Sequence, residues 1–230
     1  MALYTPKKVV RNWYRYDVSL SIELMESFIE RIEKQAEESI IRFQEEKESI
    51  VLDEVPEENY ERFVEVHQRL DDETWDLEGI FGEYFPSLQR RSALLTVCGF
   101  FEHELDKLCL LYQSEKGYKL ALSDLNAKGI DRSACYLEKV AGIEVYKSSK
   151  EWKHIKKIQM IRNVIVHQDG KLNDQQGNPI KAVIDYVNEM ESLEGDDEVI
   201  IQKGFLAHVI SIYKAYCELI SNSIEKSEKA

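Results

Sequence analysis

Apolar residues recur at helical spacing along most of this chain. From Asp17 onward, Val18, Ile22, Met25, Ile29, Ile32, Ala36, Ile40 and Phe43 follow one another at alternating steps of about four and three. That spacing predicts a helix of roughly 30 residues whose seam lies along a partner, with Asp17 or Ser19 capping its start. The expected partner is the next stretch, where Pro56 opens a helix carrying Tyr60, Phe63, Val64, His67, Leu70 and Leu77 at three- and four-residue steps. The two would form a long N-terminal helical hairpin over residues 1–85, with His67 as a core or rim residue on the stripe. Gly79, Gly82 and Pro86 then mark a break, and residues 86–230 read as a second domain.

In that second domain a helix from about Ser87 to Glu115 buries Leu94, Leu95, Val97, Cys98, Phe101, Leu105, Leu108 and Leu111. Gly99 in its middle costs about 1 kcal/mol relative to alanine, which predicts another helix approaching closely there. An irregular stretch follows Gly117, then a short helix from Asp131 to Val140 ended by Gly142. The next helix runs from about Lys150 to His167 or Gln168, capped by Ser148 or Ser149 and terminated by Gly170. A polar loop over residues 171–179 precedes a helix from Ile180 to Glu191 and an extended piece from Glu198 to Gln202. A final helix after Gly204 buries Phe205, Leu206, Val209, Ile210, Tyr213, Tyr216, Cys217, Ile220 and Ile224. The fold class expected is all-α, an up-and-down helical bundle.

Composition agrees with a helical core. Hydrophobic residues make up 43% of the chain, and only ten Gly and four Pro leave little material for turns. The formal charge of -13 excludes a surface that is a nucleic-acid platform throughout. It is unevenly spread, however. Between Glu23 and Glu83 there are 21 acids against six Lys and Arg, whereas between Lys147 and Lys171 there are seven Lys and Arg against Glu151 and Asp169. Lys153, Lys156, Lys157 and Lys171 in that basic window are candidate phosphate contacts, although a solvated lysine face accounts equally for lysines alone. Residues 1–16 hold Lys7, Lys8, Arg11, Trp13, Tyr14, Arg15 and Tyr16 and no acid before Tyr16, a strip suited either to RNA or to packing on the bundle. The four cysteines show no C-x-x-C spacing and read as buried hydrophobes of a reducing compartment. No secretory leader is visible and no apolar run reaches the ~20 residues of a membrane span, so a cytoplasmic location and no membrane partner are expected.

The basic window contains Met160-Ile161-Arg162-Asn163-Val164-Ile165-Val166-His167, in which five of eight residues are apolar and point in nearly every direction at helical pitch. A helix wrapped by protein on most sides should carry no charge, because an unpaired buried guanidinium costs several kcal/mol. Asn163 and His167 lie ~40° apart on one face, and the long side chain of Arg162 can swing toward them. Glu102, next to the apolar stripe of the preceding long helix, is the candidate partner for Arg162. Other chemistry is poorly supported. Glu151-x-x-His154 has the spacing of a carboxylate-bridged di-metal bundle but occurs once, and the adjacent residues Glu102, His103 and Glu104 diverge too far around a helix to grip one ion, so no metal or cofactor is expected.

An arginine followed by asparagine, three further residues and a histidine, on an apolar helix of a helical chain, resembles the HEPN family of all-helical proteins, many of which are RNA-cleaving toxins and defence nucleases. The motif covers Arg162, Asn163 and His167, and the family fold would cover about residues 87–227, leaving the acidic N-terminal part outside. The resemblance implies a homodimer whose two motif helices meet in one composite cleft. It also implies metal-independent cleavage of RNA through its 2′-hydroxyl to a cyclic phosphate. His167 would be general base or acid, Arg162 the transition-state clamp and Asn163 an orienting hydrogen-bonder. The expected partners are RNA, tRNA among the candidates, a second copy of the chain, and an antitoxin or regulatory protein. Two other readings stand beside it: a HEPN-like module that binds RNA or a nucleotide without cutting, and a helical interaction protein in which Arg162 and Glu102 form a structural pair.

Overall fold

The computed structural model describes residues 12–55 and 60–229, so Lys7, Lys8 and Arg11 of the basic N-terminal strip, and Pro56, lie outside the described residues. The chain is mostly helical. Its elements run α1 (Ser19–Glu46), β1 (Glu48–Val55), β2 (Tyr60–His67), β3 (Leu70–Asp71), α2 (Phe85–Lys116), α3 (Gly129–Lys139), α4 (Lys150–Gln168), α5 (Lys181–Glu189), β4 (Leu193–Glu194), β5 (Ile200–Ile201) and α6 (Phe205–Lys229). They form two compact units. The first takes in Met1–Glu26, Leu95–Arg162 and Ala207–Ala230, and the second Ser27–Leu94 and Asn163–Leu206. Four helices, α1, α2, α4 and α6, therefore contribute to both.

Of the predicted seam, Val18 just before α1 and Ile22, Ile29, Ala36 and Phe43 within it are buried, and Met25, Ile32 and Ile40 are half-buried. The second helix of the expected N-terminal hairpin does not exist. In its place β1 and β2 pair antiparallel from Glu48 opposite Val66 to Val55 opposite Tyr60, with a bulge between Val51 and Asp53, and β3 pairs with the end of β2. The physical reason is composition. Ile50, Val51, Phe63, Val64 and Val66 are β-branched or aromatic and suit a pleated surface, whereas a three- and four-residue spacing read over eight residues fits strand and helix alike. The usual hairpin signal is also missing: the tight turn between β2 and β3 places Gln68 and Arg69 at φ of 49° and 70°, a conformation that Asn-Gly normally supplies. His67 is buried nonetheless, with its ring edge-on to both Phe43 and Phe81 in the second unit.

The break expected at Gly79, Gly82 and Pro86 is instead continuous helix. A π turn over Gly79–Tyr84 runs into α2, with Phe85 N–H bonding to the carbonyl of Ile80, five residues back. Pro86 cannot donate a helical hydrogen bond, and the widened turn lies just where a regular helix would have missed it. The close helix approach expected at Gly99 is also absent, since a Cβ there would meet no atom within 4 Å.

Each unit has its own interior. In the first, Phe101 stacks on Tyr213 with ring centroids 4.0 Å apart, Tyr216 and Trp152 pack beside them, and the Tyr216 hydroxyl donates to Val145 O at 2.6 Å. In the second, β4 and β5 form a small antiparallel ribbon, Leu193 opposite Ile201. The ribbon is tied to α2 where Ile201 N–H donates to Ser87 Oγ at 3.0 Å. The four cysteines are free, and Cys98, Cys109 and Cys217 are buried. Burial pushes the Cys98 thiol up to about 11 and the Cys109 thiol to about 12, which leaves both protonated and unreactive near neutrality. Among the described residues no helix is long and apolar enough to cross a membrane.

Candidate functional site at the end of α4

Helix α4 begins where Ser149 Oγ accepts the N–H of Trp152 at 3.1 Å. Trp152, Ile155, Ile158, Ile161 and Val164 are buried at three-residue steps, and because each step falls ~60° short of a full turn they wind ~240° round the helix. From His154 to Arg162 no residue is exposed, so this stretch of the helix is covered on most sides. The helix opens near its end, where Asn163, Val166 and His167 are exposed, Val166 to 43%. The surplus of apolar residues in the motif reflects this division: Ile161 and Val164 serve the unit interiors, and Val166 faces solvent.

The helix ends in two left-handed residues, Asp169 at φ 54° and Gly170 at φ 82°, and Gly170 N–H reaches back to Val164 O at 3.1 Å. Glycine is required at 170 for a second reason. A Cβ there would come within 2.9 Å of the Arg91 guanidinium, which lies against this turn. Arg91, 3% exposed, donates to Val199 O at 3.0 Å and to Asp169 O at 3.4 Å and pairs with Glu198 at 3.2 Å. It clamps the end of α4 within the second unit. Its neighbour Arg90 is equally buried, bonded to Glu33 at 2.9 Å and Ile201 O at 3.3 Å. Among the described residues the deeply buried arginines are Arg90 and Arg91, neither of them a candidate site residue from sequence. A signal for them existed: at helical pitch Arg90 falls in line with Leu94 and Val97, on the buried stripe of α2.

Of the motif, Arg162 belongs to the first unit and Asn163 and His167 to the second. Arg162 is half-buried, and both it and Asn163 make interactions within the fold. In the first unit the Cys98 thiol senses the positive charge of Arg162, which lowers its pKa, and the negative charge of Glu102, which raises it. The charges of Arg162 and Glu102 thus both act on the same buried thiol. The Glu102 carboxylate also lies beside Gly129 at the start of α3, 3.5 Å from where a Cβ would stand.

His167 forms part of the wall of an open depression of about 650 Å³ in the second unit, shared with Ile165, Val166, Lys171, Asn173 and Asp174. Its far side is the loop after α4, which is ordered around one carboxylate. Asp174 accepts the N–H groups of Gln176 at 2.9 Å and Asn178 at 2.8 Å, and these bonds hold its pKa below the ordinary value. Of the four candidate phosphate-binding lysines, Lys171 alone lines this depression. Lys156 pairs with Asp131 at 2.6 Å, Lys157 is engaged within the fold, and Lys153 is exposed on the first-unit part of α4. The depression thus offers an accessible imidazole, an ammonium group and the Asn173 amide. That set can exchange a proton and hold a phosphate, while Asp169 and Asp174 on the same wall limit how much negative charge it accepts.

No protein-family model, curated protein or solved structure matches the chain.

Proposed function

We propose that the protein is a metal-independent endoribonuclease of the HEPN kind, working as a homodimer in which the α4 ends of two copies adjoin. The observation that supports this reading is the setting of His167: it is exposed, in the last turn of α4, on a 650 Å³ depression that also holds Lys171. A histidine kept for packing would have been covered, as His67 is.

In this mechanism the ribose 2′-oxygen attacks the adjacent phosphorus as His167 takes its proton. The bond from phosphorus to the 5′-oxygen breaks, that oxygen is protonated as it leaves, and the products carry a 2′,3′-cyclic phosphate and a 5′-hydroxyl. Arg162 holds the non-bridging oxygens, whose charge grows in the crowded transition state. Lys171 binds a flanking phosphate, and Asn163, four residues before His167 and exposed on the same face, orients the substrate. The exposed Val166 between them becomes interface when a second copy docks. An antitoxin or activating partner and a role in defence belong to the same reading, by resemblance.

The test is incubation of purified protein with total RNA in EDTA, followed by typing of fragment ends. Cyclic phosphates should appear, and His167→Ala should cut the rate by about 10²–10⁴-fold with the fold intact. Undiminished cleavage by His167→Ala would overturn the assignment. RNA binding that weakens in Arg162→Ala with no cleavage by the parent protein would establish a binding module instead, and a lowered melting temperature as the sole effect would establish a structural arginine.

A further inference from the structure

The second unit holds a second, smaller cavity, of about 130 Å³, which shares no residue with the depression that His167 lines. It lies among the last turns of α1, the end of β2 and the start of α2. Three buried rings, Phe43, His67 and Phe81, form its floor, and the exposed Arg42, Gln68 and Phe85 stand at its mouth. Phe81 stacks on Phe43 with centroids 5.2 Å apart, and meets His67 edge-on at 4.6 Å and Phe85 edge-on at 5.2 Å. Rings set at such angles offer both edges and faces to a further ring, and their faces would also attract a cation.

Charge decides between the two. No acid lines the cavity, and Arg42 makes no ion pair among the described residues. A cation would therefore meet a guanidinium and no counter-charge, whereas an anion would meet the partner that Arg42 lacks. His67 gives the floor its polar group. The ring is 6% exposed, and neither of its nitrogens has a hydrogen-bond partner among the described residues, nor is either sealed from solvent as the Gln89 Oε1 atom is. What stays open of it faces the cavity that it lines. An imidazole donates at one nitrogen and accepts at the other, so a hydroxyl group satisfies it either way. Size sets the rest: a closed apolar cavity of about 150 Å³ takes up one benzene, so 130 Å³ with an open mouth suits a single six-membered ring whose charged substituent stays at the entrance.

We propose that this cavity binds a small single-ring aromatic acid of the hydroxybenzoate type, with its ring among Phe43, Phe81 and Phe85, its carboxylate on Arg42 and its hydroxyl on His67. Pockets of this kind take their affinity from apolar walls and their orientation from a few placed polar groups. No residue of the cleavage chemistry takes part, so the two ideas fail separately.

The test titrates the full chain with 4-hydroxybenzoate by calorimetry and follows the histidine and phenylalanine ring signals by NMR. One molecule per chain should bind, and the His67 signals should move. Cyclohexanecarboxylate, which has the charge without the aromatic ring, should bind at least about tenfold more weakly, and tetramethylammonium should not bind. Arg42→Gln alters an exposed residue and should weaken binding about tenfold or more, the loss expected for one charge-assisted hydrogen bond. His67→Phe keeps a ring in place and should erase the preference for 4-hydroxybenzoate over benzoate. Absence of saturable binding at about 10 mM, signals that move only away from His67, undiminished affinity in Arg42→Gln, or equal affinity for cyclohexanecarboxylate would each overturn the site. These readings come from the parent protein and an exposed substitution, so they decide even where His67→Phe folds poorly.

Discussion

The two units differ in where they keep guanidinium groups. The second keeps guanidinium groups inside and saturates them: Arg91 meets two backbone carbonyls and Glu198, and Arg90 meets Glu33 and Ile201 O. The first has an interior of stacked aromatics and protonated thiols, Phe101, Tyr213, Tyr216, Cys98, Cys109 and Cys217, and holds Arg162 half-buried at its margin. A guanidinium enclosed by carbonyls has no geometry left for a ligand. One at the margin still presents part of itself to solvent, where a phosphate can reach it. Burial of an arginine among carbonyls is thus a sign of architecture.

The contrast can be broken most forcefully at Arg91. Its replacement by alanine should cost about 3–5 kcal/mol in urea unfolding, because Glu198 and the Val199 and Asp169 carbonyls lose their donor together. Loss of less than about 1 kcal/mol would show that the clamp at the α4 terminus is dispensable. Next comes Arg162→Ala, expected to lower RNA cleavage by about 10²–10³-fold while stability changes by less than about 2 kcal/mol. Were the two arginines to give the same pattern in paired melting and cleavage assays, the distinction between enclosed and marginal guanidinium groups would disappear.

Gly99→Ala sharpens the comparison from the side of the first unit. Nothing lies within 4 Å of the added methyl, so the variant should gain about 1 kcal/mol of helix stability, measured as a raised urea midpoint. A destabilised variant would mean that this face of α2 is covered by a partner in solution. The smallest effect concerns pH. Burial and the neighbouring His154 hold the His208 pKa below its ordinary value of 6.5 in the folded chain, so as pH falls from neutrality the unfolded chain takes up the proton first. Stability is therefore full above about 6.5 and declines below it until the folded group is protonated too. The parent protein should lose more melting temperature between pH 7 and pH 5 than His208→Gln, and equal losses would refute the sign.

Most helices were legible because their apolar positions repeat over several turns, where no other period fits. The spacing predicts α4 from about Lys150 to His167 or Gln168, and it runs from Lys150 to Gln168; α1 buries Ile22, Ile29, Ala36 and Phe43 of its predicted seam. The β-hairpin was not legible. Eight residues carry too few repeats to separate a period of 2 from one of 3.6, and Gln68 and Arg69 conceal its tight turn. At the candidate site the residue types of Arg162, Asn163 and His167 could be read, but the buried clamp of Arg91 could not, since a charged residue in sequence looks like surface. Gly99 misled for the complementary reason: a glycine can mark close packing or nothing at all, and only the neighbours decide.

Local composition and periodicity by themselves determined the helical character of the chain, the extent of α4 and the order of the motif along it, because these depend on interactions within a few turns. Tertiary structure alone decided which arginine is enclosed, where α4 opens to solvent, and that His154 and His208 meet. Each of those outcomes turns on groups far apart in the chain, whose desolvation is set by where the other elements come to rest.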